Sequence, residues 1–192
     1  MAAYGSLALP IAPWLYGAAF IVLVLVFWNA TSDRVPLSLT NRRTWAALAD
    51  MLPETNDFAF VDLGCGIGGL LADLARRRPA ARWIGVESAP IPFALAWLRL
   101  KLTGRPIVEL RFADMWRQDL AEFDIVYCFL SPAPMPNLFD KEQREMKPGS
   151  RLISTSFVVP SHPADEVIEV DGRRQTRLHV WHMGGEGEKL RD

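Results

Sequence analysis

No charged side chain precedes Asp33 and no basic one precedes Arg34. A secretory signal peptide needs a positive n-region and a small-residue cleavage site. The first is missing, and Trp28-Asn29-Ala30-Thr31 supplies the second poorly. Cysteine is also scarce: Cys65 and Cys128 form no CxxC pair, and no histidine cluster lies near them, which argues against a metal site and a disulfide framework. Both read as reduced, structural thiols. The three histidines, His162, His179 and His182, fall in the last third, and a structural role fits them better than a site. Formal net charge is -1, so nothing electrostatic marks a nucleic-acid binder. Internal repeats are absent, and 192 residues, half of them hydrophobic, leave room for one substantial core and no second catalytic domain.

What the N-terminus does contain is an uncharged run from Leu7 to Trp28, apolar on every face from Gly17 onward. A surface helix shows a polar stripe, and about 20 helical residues cross a bilayer core. Trp14 and Tyr16 at one end and Trp28 at the other resemble interfacial aromatic belts. The reading is one transmembrane helix, with a core or partner-facing helix as the competing one. Arg34, Arg42 and Arg43 follow the run, so the positive-inside rule places the remainder on the cytoplasmic side as a single-pass protein. Residues 1–33 are expected to be the anchor, 34–183 the catalytic domain and 184–192 a frayed tail.

From Thr40, a plausible N-cap, helical and strand signals alternate. Strands are expected at Phe58 to Leu63, Arg82 to Glu87, Ile107 to Phe112, Phe123 to Leu130 and Arg151 to Val159, with helices between most of them. Alternation of this kind means a parallel sheet. The rhythm then changes to a hairpin, Glu166 to Val170 and Thr176 to Met183 around Asp171-Gly172. The expected fold class is therefore α/β: a doubly wound, Rossmann-like, mostly parallel seven-stranded sheet with a C-terminal antiparallel hairpin, preceded by one transmembrane helix. Arg76-Arg77-Arg78 ends a helix, where basic residues suit the dipole.

The densest chemical signal is Val61-Asp62-Leu63-Gly64-Cys65-Gly66-Ile67-Gly68-Gly69. Gly64, Gly66 and Gly69 satisfy the GxGxxG spacing, whose glycines permit a tight strand-to-helix turn and a close backbone approach. By themselves they do not separate nicotinamide or flavin binding from other uses of this loop. Three carboxylates on successive strand ends shift the balance. Asp62 would repel pyrophosphate and favour a cationic or amino-bearing ligand. Glu87 is placed to accept ribose hydroxyls, and Asp114 an adenine amino group beneath apolar Met115 and Trp116. Each has a plainer reading, Asp62 and Asp114 as caps and Glu87 as a surface acid.

The stretch Val61 to Gly68 resembles the signature loop of class I S-adenosylmethionine-dependent methyltransferases, and the likeness extends from about Thr40 to Met183. It implies S-adenosylmethionine as cofactor, held by Asp62, Gly64, Cys65, Gly66, Gly68, Glu87, Asp114, Met115 and Phe129, with Lys147-Pro148-Gly149 turning into the fifth strand. A closer resemblance is to the membrane-anchored protein-lysine methyltransferases of the ATP synthase c subunit and the adenine nucleotide translocase. Gly85-Val86-Glu87, Asp114-Met115-Trp116-Arg117, Phe129-Leu130-Ser131-Pro132 and Phe157-Val158-Val159-Pro160 carry it. Ile67 stands where that family commonly has Asp, Ser88 where it has Asn, and His162 in place of an aromatic. The likeness implies lysine methylation of a membrane or membrane-proximal protein, with no metal and no nucleic acid. Ser131 and Pro132 are the acceptor-side candidates, since ligands of open parallel sheets sit beyond the carboxyl ends of the strands. Methylation of a lipid or hydrophobic small molecule, and a non-catalytic cofactor-binding protein, are the other readings. Tyr127, inside its strand, reads as core packing.

Overall fold

Alternation of short apolar strands with helices builds the sheet that the sequence implies. The computed structural model describes residues 12–26, 41–103, 108–171 and 176–184. Helices α1 (Pro13–Val26) and α2 (Arg42–Asp50) lead into β1 (Ala59–Leu63), α3 (Gly69–Arg77), β2 (Arg82–Glu87), α4 (Pro90–Leu102) and β3 (Val108–Phe112). A single 3-10 turn at Met115–Arg117 precedes β4 (Ile125–Cys128), α5 (Met135–Glu145), β5 (Arg151–Thr155), β6 (Glu166–Val170) and β7 (Thr176–His182). Sheet order is β3-β2-β1-β4-β5-β7-β6. The first five strands are parallel, and β7 runs antiparallel to both β5 and β6.

Chain order reverses between β1 and β4, which makes their carboxyl ends the place where an open α/β sheet leaves a crevice. Every residue of β1 and β4 is buried, as expected for central strands covered on both faces. Because side chains alternate, β1 sends Val61 and Leu63 to one core with Leu138, Phe139 and Trp181, and Phe60 to the other with Leu48, Leu71 and Tyr127. Asp62 shares the parity of Phe60, so it faces the α2–α3 side. Its neighbour in register on β4 is Tyr127.

Several expectations shift by a residue or more. Asn41, not Thr40, caps α2, its Oδ1 accepting from the backbone N–H of Arg43 and of Thr44 at 3.0 Å each. Strand β4 is shorter than Phe123 to Leu130, and β5 stops at Thr155 because Ser156 adopts φ 67°. Arg76 and Arg77 both pair with Asp73 within α3, which accounts for that part of the arginine triplet locally.

The expected transmembrane helix is not seen among the described residues. Helix α1 is described over 14 residues, Pro13–Val26. No helix among the described residues is long and apolar enough to cross a membrane. The expected run from Leu7 to Trp28 begins and ends outside the described residues, as do the 33/34 boundary, nearly all of the 184–192 tail and Gly172 of the hairpin turn. None of the α1 side chains is buried, and the helix touches the protein along α4.

One glycine inside β2 has a purely steric reason. A Cβ on Gly85 would lie 2.7 Å from Leu71 Cδ1, 2.8 Å from Leu110 Cδ2 and 2.9 Å from Cys65 Sγ. Gly85→Ala is expected to cost about 1–3 kcal/mol through overpacking beneath the glycine loop. Urea unfolding checks this, and a midpoint equal to wild type would show the interior yields freely.

Candidate active site

The turn leaving β1 is held by main-chain bonds that a side chain would disturb. Gly64 N–H and Cys65 N–H both donate to the Val86 carbonyl, at 2.9 and 3.0 Å. Gly64, Gly66 and Gly68 take φ of 79°, 56° and 67°, the left-handed region where a Cβ is costly. Gly68 is the N-cap of α3 and supplies no side-chain acceptor. The loop is thereby bent over the carboxyl end of β1, exposing the start of α3 to whatever sits there.

Glu87 fastens this loop to the next crossover. One carboxylate oxygen accepts from Gly66 N–H at 2.9 Å, and the other accepts from Ser88 and Ala89 N–H at 2.9 and 2.8 Å. The plainer reading of Glu87 as a surface acid therefore fails, since the residue is 8% exposed. A carboxylate has about four acceptor positions, and three donors leave room for one more. Asp114 behaves as a cap, accepting from Trp116 N–H at 3.0 Å, with Met115 buried behind it. Ala113 N–H donates to the Glu87 carbonyl, bringing the ends of β2 and β3 together.

Beside the loop on the α2–α3 face lies a cavity of about 200 Å³. Asp62, Gly64, Cys65 and Phe129 line it, as the sequence reading expects of cofactor residues. Gly66, Gly68, Glu87, Asp114 and Met115 do not, and they mark a second stretch along the strand ends toward β3. Trp45, Arg99 and Tyr127 line the cavity without having been singled out as site residues. Tyr127 is 1% exposed with its hydroxyl 2.7 Å from Thr155 Oγ1, so core packing and cavity floor are both true of it. Only the pairing of β1 with β4, which puts Tyr127 beside Asp62, would have signalled it.

Asp62 is the electrostatic centre of this cavity. It is 3% exposed and has no hydrogen-bond partner among the described residues. Burial, and secondarily the charge of Glu87, pushes its carboxyl from 3.8 up to about 8. A cation brought beside it would reverse that shift. Burial likewise pushes the Cys65 thiol up, so it is inert. Ser131 follows β4 with a buried hydroxyl that has no partner among the described residues, and Pro132 is exposed. Neither touches the cavity. Phe129 stacks on Phe157 at 6.2 Å and forms an apolar wall beyond β4 and β5. Among the described residues no cluster could hold a metal ion. The histidines are structural: His162 lies against Phe139 at 4.5 Å, His182 pairs with Glu166, and His179 is buried on β7.

An elongated, partly cationic ligand suits this layout, with one end by Asp62 and the other by Glu87 and Asp114. A protein-lysine N-methyltransferase of Saccharolobus islandicus (strain REY15A) is 29% identical over 155 residues, spanning 78% of this chain and 94% of that protein. The mouse adenine nucleotide translocase lysine N-methyltransferase is 31% identical over 130 residues, 66% of this chain, which spans about half (54%) of the mouse enzyme. An RNA methyltransferase from Salinibacter ruber, solved with S-adenosyl-L-homocysteine, superposes with a TM-score of 0.68 at 24% identity, over 78% of this chain and 95% of that one, a likeness of fold. The family model described as the ANTKMT methyltransferase domain matches residues 62–166, beginning at Asp62 itself, and the chain belongs to that methyltransferase family.

Proposed function

We propose that this methyltransferase uses S-adenosylmethionine to methylate a lysine side chain of a protein that lies in or against a membrane, with residues 34–183 as the catalytic domain. The observation that carries the cofactor is Asp62: a buried carboxyl without a protein partner, lining a cavity under a glycine loop, asks for a cationic ligand. Both Saccharolobus and mouse relatives are named lysine N-methyltransferases, which supports the acceptor.

When bound, the cofactor supplies an electrophilic methyl group on a sulfonium, and the chain's own part is placement. Asp62 faces the cationic end, the glycine loop lets the ligand approach the backbone, and Glu87 offers its remaining acceptor position to the ribose. Asp114 and Met115 receive the adenine. Ser131 and Pro132 form the acceptor side past β4. In-line approach of a neutral amine demands orientation and exclusion of water more than a dedicated base. The apolar wall of Phe129 and Phe157 favours the uncharged amine by depressing its pKa.

The membrane part of the reading rests on exposed apolar surface. Trp14 and Phe20 of α1 are 69% and 67% exposed, and Leu95, Leu98 and Leu102 of the adjoining α4 face outward as well. A solvent-facing patch of this kind marks an interaction surface. We place the catalytic domain at the cytoplasmic face of the membrane.

Incubating membranes with purified protein and methyl-labelled cofactor tests the whole reading. Label recovered as methyl-lysine in a protein band is expected. Label in the lipid extract would replace the acceptor by a lipid, and cofactor binding without transfer would make the protein a silent binder. Carbonate washing of the same membranes separates surface contact, which is released, from a span, which is retained.

A further inference from the structure

Helix α4 is apolar along almost its whole length, and Arg99 and Lys101 are its only charged residues. The two basic side chains go different ways. Lys101 Nζ lies 4.6 Å above the ring of Trp97 on the outer face. Arg99, itself exposed, reaches over the first residue of α3: a Cβ on Gly69 would be 2.8 Å from Arg99 Nη1 and 3.2 Å from Trp45 Cζ2 and Cη2. Glycine at position 69 thus makes room for a guanidinium and an indole to converge on the N-terminus of α3.

That convergence sets like against like. A helix N-terminus carries roughly half a positive charge and unsatisfied N–H groups. Helix α3 has no acidic residue in its first turn, and its N-cap Gly68 offers no side-chain acceptor. Arg99 forms no ion pair or side-chain hydrogen bond with any described residue. A guanidinium and a helix start therefore face the same cavity, and no described acidic side chain pairs with either. An anion from outside the chain would suit both.

The same cavity also holds the complementary sign. Asp62, 3% exposed and without a hydrogen-bond partner among the described residues, lines this same cavity. One acidic wall and one basic wall match a zwitterion, and a space of about 200 Å³ suits an α-amino-acid group rather than a whole nucleoside. Resting on the reading that this cavity takes S-adenosylmethionine, we propose that Arg99 holds the α-carboxylate of the cofactor's amino-acid end. The N–H groups opening α3 are the second donor and Trp45 the lid over both. Arg99 is then a specificity-determining residue, the one that separates the carboxylated cofactor from its decarboxylated analogue.

Calorimetry on the full chain tests this with two ligands, S-adenosylmethionine and decarboxylated S-adenosylmethionine, and three proteins, wild type, Arg99→Leu and Arg99→Lys. Loss of a charge-assisted hydrogen bond should weaken S-adenosylmethionine binding by roughly ten- to a hundredfold in Arg99→Leu. Binding of the decarboxylated analogue should stay within about twofold of wild type, so the preference for the carboxylate collapses, and Arg99→Lys should restore part of it. Equal losses for both ligands, or no loss for either, would overturn the assignment. Wild-type protein that binds neither ligand would instead remove the cofactor reading itself, and this assignment with it.

Discussion

Glu87→Ala should weaken S-adenosylmethionine binding about a hundredfold or more and destabilise the protein by about 3 kcal/mol. Both effects come from one carboxylate. Its oxygens accept from three backbone N–H groups, those of Gly66, Ser88 and Ala89, at 2.8–2.9 Å. Each orphaned donor costs about 1–3 kcal/mol when dry, and water admitted into the space left by the side chain recovers part of that. The affinity loss has two sources: the acceptor offered to the ribose disappears, and Gly66 loses the bond that fixes the loop. Glu87→Gln separates them, since it keeps an acceptor oxygen for one side of the arrangement and removes the charge. Calorimetry gives the affinity and urea unfolding the stability. Wild-type affinity in a Glu87→Ala protein that still folds would show that the ribose site lies elsewhere.

That double duty was only half legible in the sequence. A carboxylate ending the second strand after Gly85-Val86 points to ribose recognition, and the fold puts it at the carboxyl end of β2. Nothing in the one-dimensional pattern says that the same group also fastens the glycine loop, because Gly66 and Glu87 meet only when β1 and β2 lie side by side in register. Asp62 was legible as a carboxylate before the glycines. That it has no partner among the described residues goes with the apolar cluster on its face of the sheet, to which Leu71 of α3 and Tyr127 of β4 belong. Apolar strands alternating with helices made the sheet legible, since burial on two faces leaves runs such as Ala59-Phe60-Val61-Asp62-Leu63 little else to be, while its division into two cores came from the structure.

Trp45 and Arg99 escaped for a different reason. They sit on helices whose periodicity reports burial, not direction toward a ligand, and α4 is so uniformly apolar that its period singles out no face. The N-terminal run was legible as apolar length, and no membrane-spanning helix is seen among the described residues. Apolar length in sequence set an upper limit on a helix, and the described part of that run is the 14-residue α1.

Asp62 should make cofactor binding strongly pH-dependent, and the direction follows from burial. With no ligand, its carboxyl titrates at about 8, raised from 3.8 mainly by desolvation and secondarily by Glu87. The folded protein therefore holds a proton that the unfolded chain releases. Stability supplied by the protonated form is complete below about 4, declines as pH rises toward about 8 and is flat beyond. A cationic ligand in the cavity prefers the ionised carboxylate, so binding must expel that proton anywhere below pH 8. Affinity should climb by up to about tenfold per pH unit, roughly fiftyfold between pH 6 and pH 8, with close to one proton released per cofactor bound at the lower end. The α-amino group of the cofactor itself titrates near about 7.7–8.0, which bends the profile above that range. Asp62→Asn distinguishes the two groups. It should bind weakly at every pH, lose the rise between pH 6 and pH 8, and in the absence of cofactor be more stable than wild type at pH 8. Calorimetry in buffers of different ionisation enthalpy counts the protons. An Asp62→Asn profile as steep as wild type would assign the proton to another group and remove Asp62 from the cationic end of the site.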